Sequence, residues 1–305
     1  MSKVYFTDMR TSFTENLPKK LTRLIDRAGL GTIDFDHKFV AIKIHFGEMG
    51  NLAYLRPQYA RALAAYIKER GGLPFLTDCN TLYVGSRKNA LEHIETAYIN
   101  GYTPYATGCQ VIIADGVRGT DEAYIPIGCA EVKTAKIGRA IADADIIISL
   151  NHFKGHEDAG FGGALKQLSI GCASSYGKAY IHGAGEPEKI GTADHDSFLD
   201  AMADAASSVA EYFKDKTVFI NVMKNMSVDC DCCAVAEDPC MADIGILASL
   251  DPIAVDQACL DLVYASDDPG RDHLVERIES LNGVRTVESA AALGFGTREY
   301  ELVEL

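Results

Sequence analysis

Short, wholly apolar runs recur along this chain, separated by segments whose apolar residues fall every three or four positions. The runs Val4–Thr7, Phe39–Ile44, Pro74–Thr77, Val111–Ala114, Ile146–Leu150 and Val218–Asn221 do not alternate with polar residues. Such continuity is expected of strands covered on both faces. The segments between them predict helices. The clearest starts at Pro57, carries Tyr59, Leu63, Tyr66 and Ile67 on one face, and stops at Gly71-Gly72. Proline suits the first turn of a helix and glycine its end. Ser86–Ile99, Val132–Ala142 and His195–Phe213 predict helices in the same way. Asp251-Pro252 reads as the cap and first turn of another, with Asp256 left inside an apolar face. Strands alternating with helices predict an α/β fold, a mostly parallel sheet flanked by helices. No linker or internal repeat divides the 305 residues. One domain over 1–305 is therefore expected, with 1–150 and 151–305 as the two lobes if it divides.

The stretch Gly155–Gly191 breaks the rhythm. It is dense in glycine, lacks a long apolar period, and predicts a functional loop region, since compact domains rarely keep long structureless loops without a use. The formal net charge of −14 argues against a nucleic-acid partner, because such binding relies on Lys and Arg neutralising phosphates. No apolar run approaches the roughly 20 residues that span a bilayer, so no membrane association is expected. The N-terminus MSKVYFTDMR has no apolar signal core, which predicts a cytoplasmic protein. In that reducing compartment nine cysteines do not suggest a disulfide framework.

Polar residues gather where the predicted strands end: His45 after the second, Asp78 after the third, His152, Lys154 and His156 after the fifth. Ligands of open parallel α/β sheets bind outside these carboxyl ends. With Lys166, these residues are the candidates for catalysis. Gly160-Phe161-Gly162-Gly163-Ala164-Leu165-Lys166 reads as a loop feeding a helix. Backbone N–H groups at Gly162 and Gly163, with the Lys166 charge, would cradle a small anion such as a carboxylate or phosphate. The segment has neither P-loop nor dinucleotide-fingerprint spacing.

Four of the nine cysteines, Cys230, Cys232, Cys233 and Cys240, fall within eleven residues. Thiolates so close together point to a metal ion such as zinc, or to an iron–sulfur cluster. His152 or His156 could complete a three-cysteine site. Asp229 and Asp231 are expected to raise the thiol pKa values until a cation reverses that logic. Two functions follow. One is a metal- or cluster-binding protein with a redox role and an electron-transfer partner. The alternative is an enzyme that moves a proton on a small anionic substrate through the strand-end residues.

The segments Lys43–Glu48, Leu76–Tyr83, Asn151–His156, Gly160–Lys166 and Cys230–Cys233 resemble, in order, the DUF362 family, from about Val40 to Ala265. Its members are described as uncharacterised iron–sulfur centre proteins, so the resemblance implies such a centre. Many members carry a ferredoxin-type insert with its own cysteine run. Here the corresponding stretch, Gly183–Ser197, contains no cysteine, so a cluster would have to use Cys230, Cys232, Cys233 and Cys240. A distant similarity of the glycine- and histidine-bearing segments to lactate racemase would imply proton transfer on a small acid.

Overall fold

All six apolar runs form strands, and all six lie in one sheet. The structure, a computed structural model, describes residues 1–235 and 237–305. In chain order the strands are β1 (Ser2–Asp8), β2 (Phe39–Lys43), β3 (Leu73–Asp78) and β4 (Gln110–Ile113), then the hairpin β5 (Glu122–Pro126) and β6 (Thr134–Gly138). There follow β7 (Ile146–His152), a second hairpin of β8 (Lys154–His156) and β9 (Gly160–Gly162), β10 (Thr217–Met223), β11 (Gly245–Ser249) and β12 (Tyr300–Glu304). The main sheet has eight strands in the order β12-β1-β11-β10-β7-β2-β3-β4. Only β11 runs against the rest. Strands from the two halves of the chain interleave, with β7 between β10 and β2.

The inner strands serve two cores, because successive side chains point to opposite faces. Ala41, Ile147, Phe219 and Leu247 enter one apolar layer, whereas Val40, Ile42, Ile148, Ile220 and Ala248 enter the other. Every residue of β7 and β10 is buried, as central strands under two helical layers must be. The helices Pro57–Lys68 and His195–Tyr212 form where the sequence places them. Asp251 caps the helix Pro252–Tyr264 by accepting the N–H groups of Ile253 and Ala254.

Three expectations are corrected. Val132–Ala142 is mostly strand, β6 followed by one helical turn at Arg139–Ala142. Ala135 and Ile137 point inward and Lys136 less so, a period of two hidden in a run too short to separate from a helix. Ser86–Ile99 is helical only from Ala90, because Asn89 caps the helix through the N–H groups of Leu91 and Glu92. The glycine-rich 155–191 stretch is largely ordered: β8, β9, a turn at Ala164–Lys166 running on through Gln167–Gly171, and the helix Ser175–His182. Buried Asp256 explains part of that order. Its carboxylate accepts from the Ala164 and Leu165 N–H groups and from the Asn221 amide, fixing the turn against β10.

Candidate functional site

The parallel register sets the ends of β2, β3, β7 and β10 along one edge, with Lys43 beside Thr77 and Ser149, and His152 beside Val222. A cleft of about 1040 Å³ opens there. All six catalytic candidates line it, as do Gly162 and Gly163. The strand-end argument therefore assembles its residues in one place.

A residue between two cysteines organises that wall. Asp231, 1 % exposed, receives Lys154 Nζ at 3.0 Å on Oδ1 and His152 Nδ1 at 3.0 Å on Oδ2. His45 Nδ1 lies 3.8 Å from the same Oδ2. Burial alone would raise the Asp231 pKa, but Lys154, His45 and His152 outweigh it and hold the carboxyl well below the usual carboxylate range. Burial would likewise lower the Lys154 pKa, and Asp231 holds it above the ordinary lysine range instead. Lys154 thus serves Asp231 and the His152 carbonyl, 3.2 Å away, before any ligand. His152 is a strut, with its Nδ1 on Asp231 and its Nε2 on the Lys224 carbonyl.

Asp78 and His45 join a second buried network. Lys43 Nζ lies 2.9 Å from Asp78 Oδ1 and 2.8 Å from Gln167 Oε1. His93 approaches Asp78 Oδ2 at 3.6 Å without a proper hydrogen bond. Burial opposes ionisation of Asp78, yet the Lys43 ammonium and His93 bring its pKa well below the usual range. Arg87, in the turn before the Ala90 helix, reaches Glu48 at 3.0 Å and His45 Nε2 at 2.8 Å. The Gly47 N–H faces His45 Nδ1 at 2.9 Å, so a donor stands against each ring nitrogen and the single lone pair is met in either tautomer. Burial first, and Arg87 second, push the His45 pKa well below the ordinary histidine value.

The cysteines divide. The Cys233 N–H donates to the Cys230 carbonyl at 3.1 Å, a tight turn that sends neighbouring thiols to different partners. Cys232 Sγ lies 3.8 Å from His156 Nε2, and Cys233 Sγ lies 3.3 Å from Glu157 Oε1. Glu157 also accepts the Cys230 N–H at 2.9 Å. Ligand atoms of His156, Glu157, Cys230 and Cys232 all lie within 4.8 Å of one another. Cys240 does not join them: its thiol rests on the Met226 carbonyl at 3.2 Å, beside a separate hollow with Pro269 and Gly270. The four-sulfur set expected from spacing is thereby replaced by two sulfurs, an imidazole and a carboxylate.

Burial, more than the neighbouring aspartates, governs the thiols. It pushes Cys230 well up, with the hydrogen bond to Cys232 adding to it. A hydrogen bond from Cys230 lowers the Cys232 pKa, but the bond with Cys233 and burial leave it at about 11. Asp231 is neutralised by Lys154, and Asp229 by Arg277 at 3.4 Å.

One glycine lets the two parts of the site meet. A Cβ on Gly155 would stand 2.3 Å from the Val228 carbonyl oxygen, at the base of the cysteine loop. Gly155→Ala is expected to displace that loop and to cost about 1–3 kcal/mol, the usual penalty of overpacking. Urea denaturation checks it, and an unchanged midpoint would show that the loop yields freely.

Sequence reasoning named Asp231 only as a source of charge and passed over Glu157 and Arg87. Glu157 follows His156 directly, and an acidic neighbour to a candidate ligand was the available signal. Nothing local marks Arg87.

Residues 40–261 match the family model described as a domain of unknown function, DUF362, and the chain belongs to that family. No curated protein matches it. Among solved structures it is similar to the lactate racemase apoprotein of Thermoanaerobacterium thermosaccharolyticum, with 12% identity over 72% of this chain and 50% of that one, at a TM-score of 0.46. It is also similar to a Thermotoga maritima protein from a structural genomics consortium, with 15% identity over 90% of this chain and 58% of that one, at 0.45. The chain thus spans between half and three-fifths of the length of these two proteins. Among the described residues no helix is long and apolar enough to cross a membrane.

Proposed function

We propose that the protein binds one transition-metal ion through Cys230, Cys232 and Glu157, with His156 beside them, and that a small anionic substrate enters the adjoining cleft. The observation that carries this reading is the approach of four ligand atoms to within 4.8 Å of one another on the cleft wall. A tetrahedral ion with bonds of about 2.0–2.3 Å needs donor separations of roughly 3.3–3.8 Å. The His156–Cys232 and His156–Glu157 separations, both 3.8 Å, are already at that scale. An iron–sulfur cluster fits less well, since such clusters take four thiolates and Cys240 lies apart. Mixed thiolate, imidazole and carboxylate donors suit zinc or a neighbouring divalent ion.

The donors are not equivalent. His156 Nδ1 accepts the N–H groups of Asp158 at 3.0 Å and Ala159 at 3.1 Å. The ring proton therefore sits on Nε2, facing Cys232. A ligating histidine ordinarily donates from its other nitrogen, the reverse of this arrangement. Sulfur and Glu157 are the primary donors, and His156 enters only by moving its proton from Nε2 to Nδ1, which breaks the bonds to Asp158 and Ala159. When bound, such an ion would supply a Lewis acid at the cleft wall.

The anion half of the proposal rests on charge. Lys43, Lys154 and Arg87 are committed to Asp78, Asp231 and Glu48, whereas Lys166 has no ion pair among the described residues. Metal analysis of purified protein tests the first half. Wild type is expected to hold about one equivalent of metal, the Cys230→Ser, Cys232→Ser double variant almost none, and His156→Ala a substantial part. Equal metal in wild type and the double variant would end the proposal.

A further inference from the structure

We propose that His182 is the proton acceptor of the cleft, placed to act on an anionic ligand held by Lys166. The inference rests on the reading of the cleft as an anion site and adds the group that would do chemistry there.

Four histidines line the cleft: His45, His152, His156 and His182. A general base needs a ring nitrogen with an exposed lone pair, within hydrogen-bond reach of the ligand. His45 has a donor against each nitrogen, the Gly47 N–H and Arg87, so its one lone pair is occupied in either tautomer. His152 has both nitrogens against acceptors, Asp231 and the Lys224 carbonyl. His156 has a lone pair only at Nδ1, and two backbone N–H groups occupy it.

His182 differs. Its Nδ1 lies 2.8 Å from the Lys178 carbonyl, one turn back in its own helix, and must carry the proton to bond there. The lone pair is thereby fixed on Nε2, which has no hydrogen-bond partner among the described residues and is not a buried orphan. The ring also stacks on Phe198, with centroids 5.0 Å apart and planes 23° from parallel. A carbonyl holding one nitrogen and an aromatic face holding the plane are the orienting contacts that a base requires.

The surrounding charges keep that nitrogen free. Burial lowers the His182 pKa; the bond to the Lys178 carbonyl and the Asp158 carboxylate oppose this, while Lys166 and Lys178 add to it. His156 is the other ionisable neighbour, and is itself held neutral by burial, Lys166 and Lys154. An anion arriving at Lys166 offsets the lysine charge and raises the proton affinity of Nε2. In the reaction the ligand's X–H bond breaks, the proton passes to Nε2, and the electron pair stays on X. The imidazolium so formed keeps its Nδ1–H bond to Lys178 and can return the proton. No oxidant, reductant or second substrate is needed.

Inorganic phosphate is the probe. Calorimetric titration of the whole protein in two buffers of different ionisation enthalpy measures the protons taken up per phosphate bound. Near neutral pH, wild type is expected to take up a substantial fraction of a proton. His182→Gln should still bind phosphate but lose that uptake. Lys166→Met should bind roughly ten- to hundredfold more weakly, the loss of one charge-assisted hydrogen bond. Uptake unchanged in His182→Gln overturns the assignment of His182. Failure of wild type to bind phosphate, or unaltered binding in Lys166→Met, overturns the anion reading beneath it. A measurement independent of any variant is the ring ¹⁵N spectrum of wild type, expected to show Nδ1 protonated and Nε2 bare. The opposite tautomer would overturn the proposal.

Discussion

Asp231→Ala is expected to destabilise the protein by about 3–5 kcal/mol, the usual result of removing one partner from a buried ion pair. The cause is the ammonium left behind. Lys154 is buried, its charge is held by Asp231 at 3.0 Å, and among the described residues its one other hydrogen bond goes to the His152 carbonyl. His152 would also lose the acceptor of its Nδ1. The double variant Lys154→Met, Asp231→Leu removes both charges, and should be closer to wild type than Asp231→Ala, because an apolar pair leaves nothing uncompensated. Urea denaturation of the three proteins measures this, and an Asp231→Ala variant within 1 kcal/mol of wild type would sink it.

The pH dependence of that contribution has a definite sign. The folded-state pKa of Asp231 is depressed, so its contribution is fully present above the unfolded value of about 3.9. It is lost only as the pH falls through the lower folded-state value. The gap between wild type and Asp231→Ala should therefore hold from neutral pH down to the ordinary carboxylate range and close only below it.

How much of this was legible follows from which interactions are local. Strands buried on both faces announce themselves as unbroken apolar runs, so β7 and β10 could be read directly. The strand β11, Gly-Ile-Leu-Ala-Ser, is as buried as they are but opens on a glycine and is only five residues long. The short hairpins β5–β6 and β8–β9 were missed for a similar reason: three to five residues carry no resolvable period. Parallel strand ends bring His45, Asp78 and His152 together by topology alone, which is why the site's place was readable. Its division of labour was not. Whether a histidine is strut or base depends on what stands against each nitrogen. For His152 that is a carboxylate 79 residues away. His182 lay in a stretch that read as loop, and its tautomer depends on the helix that the stretch forms. Cys240 looked like a ligand because spacing counts residues, whereas its backbone N–H and thiol both turn to Met226.

Metal affinity should rise steeply with pH, by roughly a hundredfold per unit around neutrality. Each thiol must lose its proton to ligate, and each proton released contributes about a factor of ten per pH unit. Burial and the bond to Cys232 hold Cys230 well above the ordinary thiol range, and Cys232 stands at about 11. Both are therefore fully protonated before the metal enters, so the slope stays constant across pH 6–8. His156 leaves that slope unchanged. Burial holds the ring neutral, so ligation through Nε2 moves its proton to Nδ1, at the expense of the Asp158 and Ala159 N–H bonds, and releases none to solvent. Competition titrations with a zinc chelator, corrected for the chelator's own protonation, give the number for wild type and His156→Ala. The slope should be a hundredfold in both proteins, and equal affinities place the ion on sulfur and Glu157. A variant that binds roughly tenfold or more weakly at every pH makes His156 a ligand. Affinity independent of pH would mean that neither Cys230 nor Cys232 binds the metal as a thiolate, and the site would have to lie elsewhere.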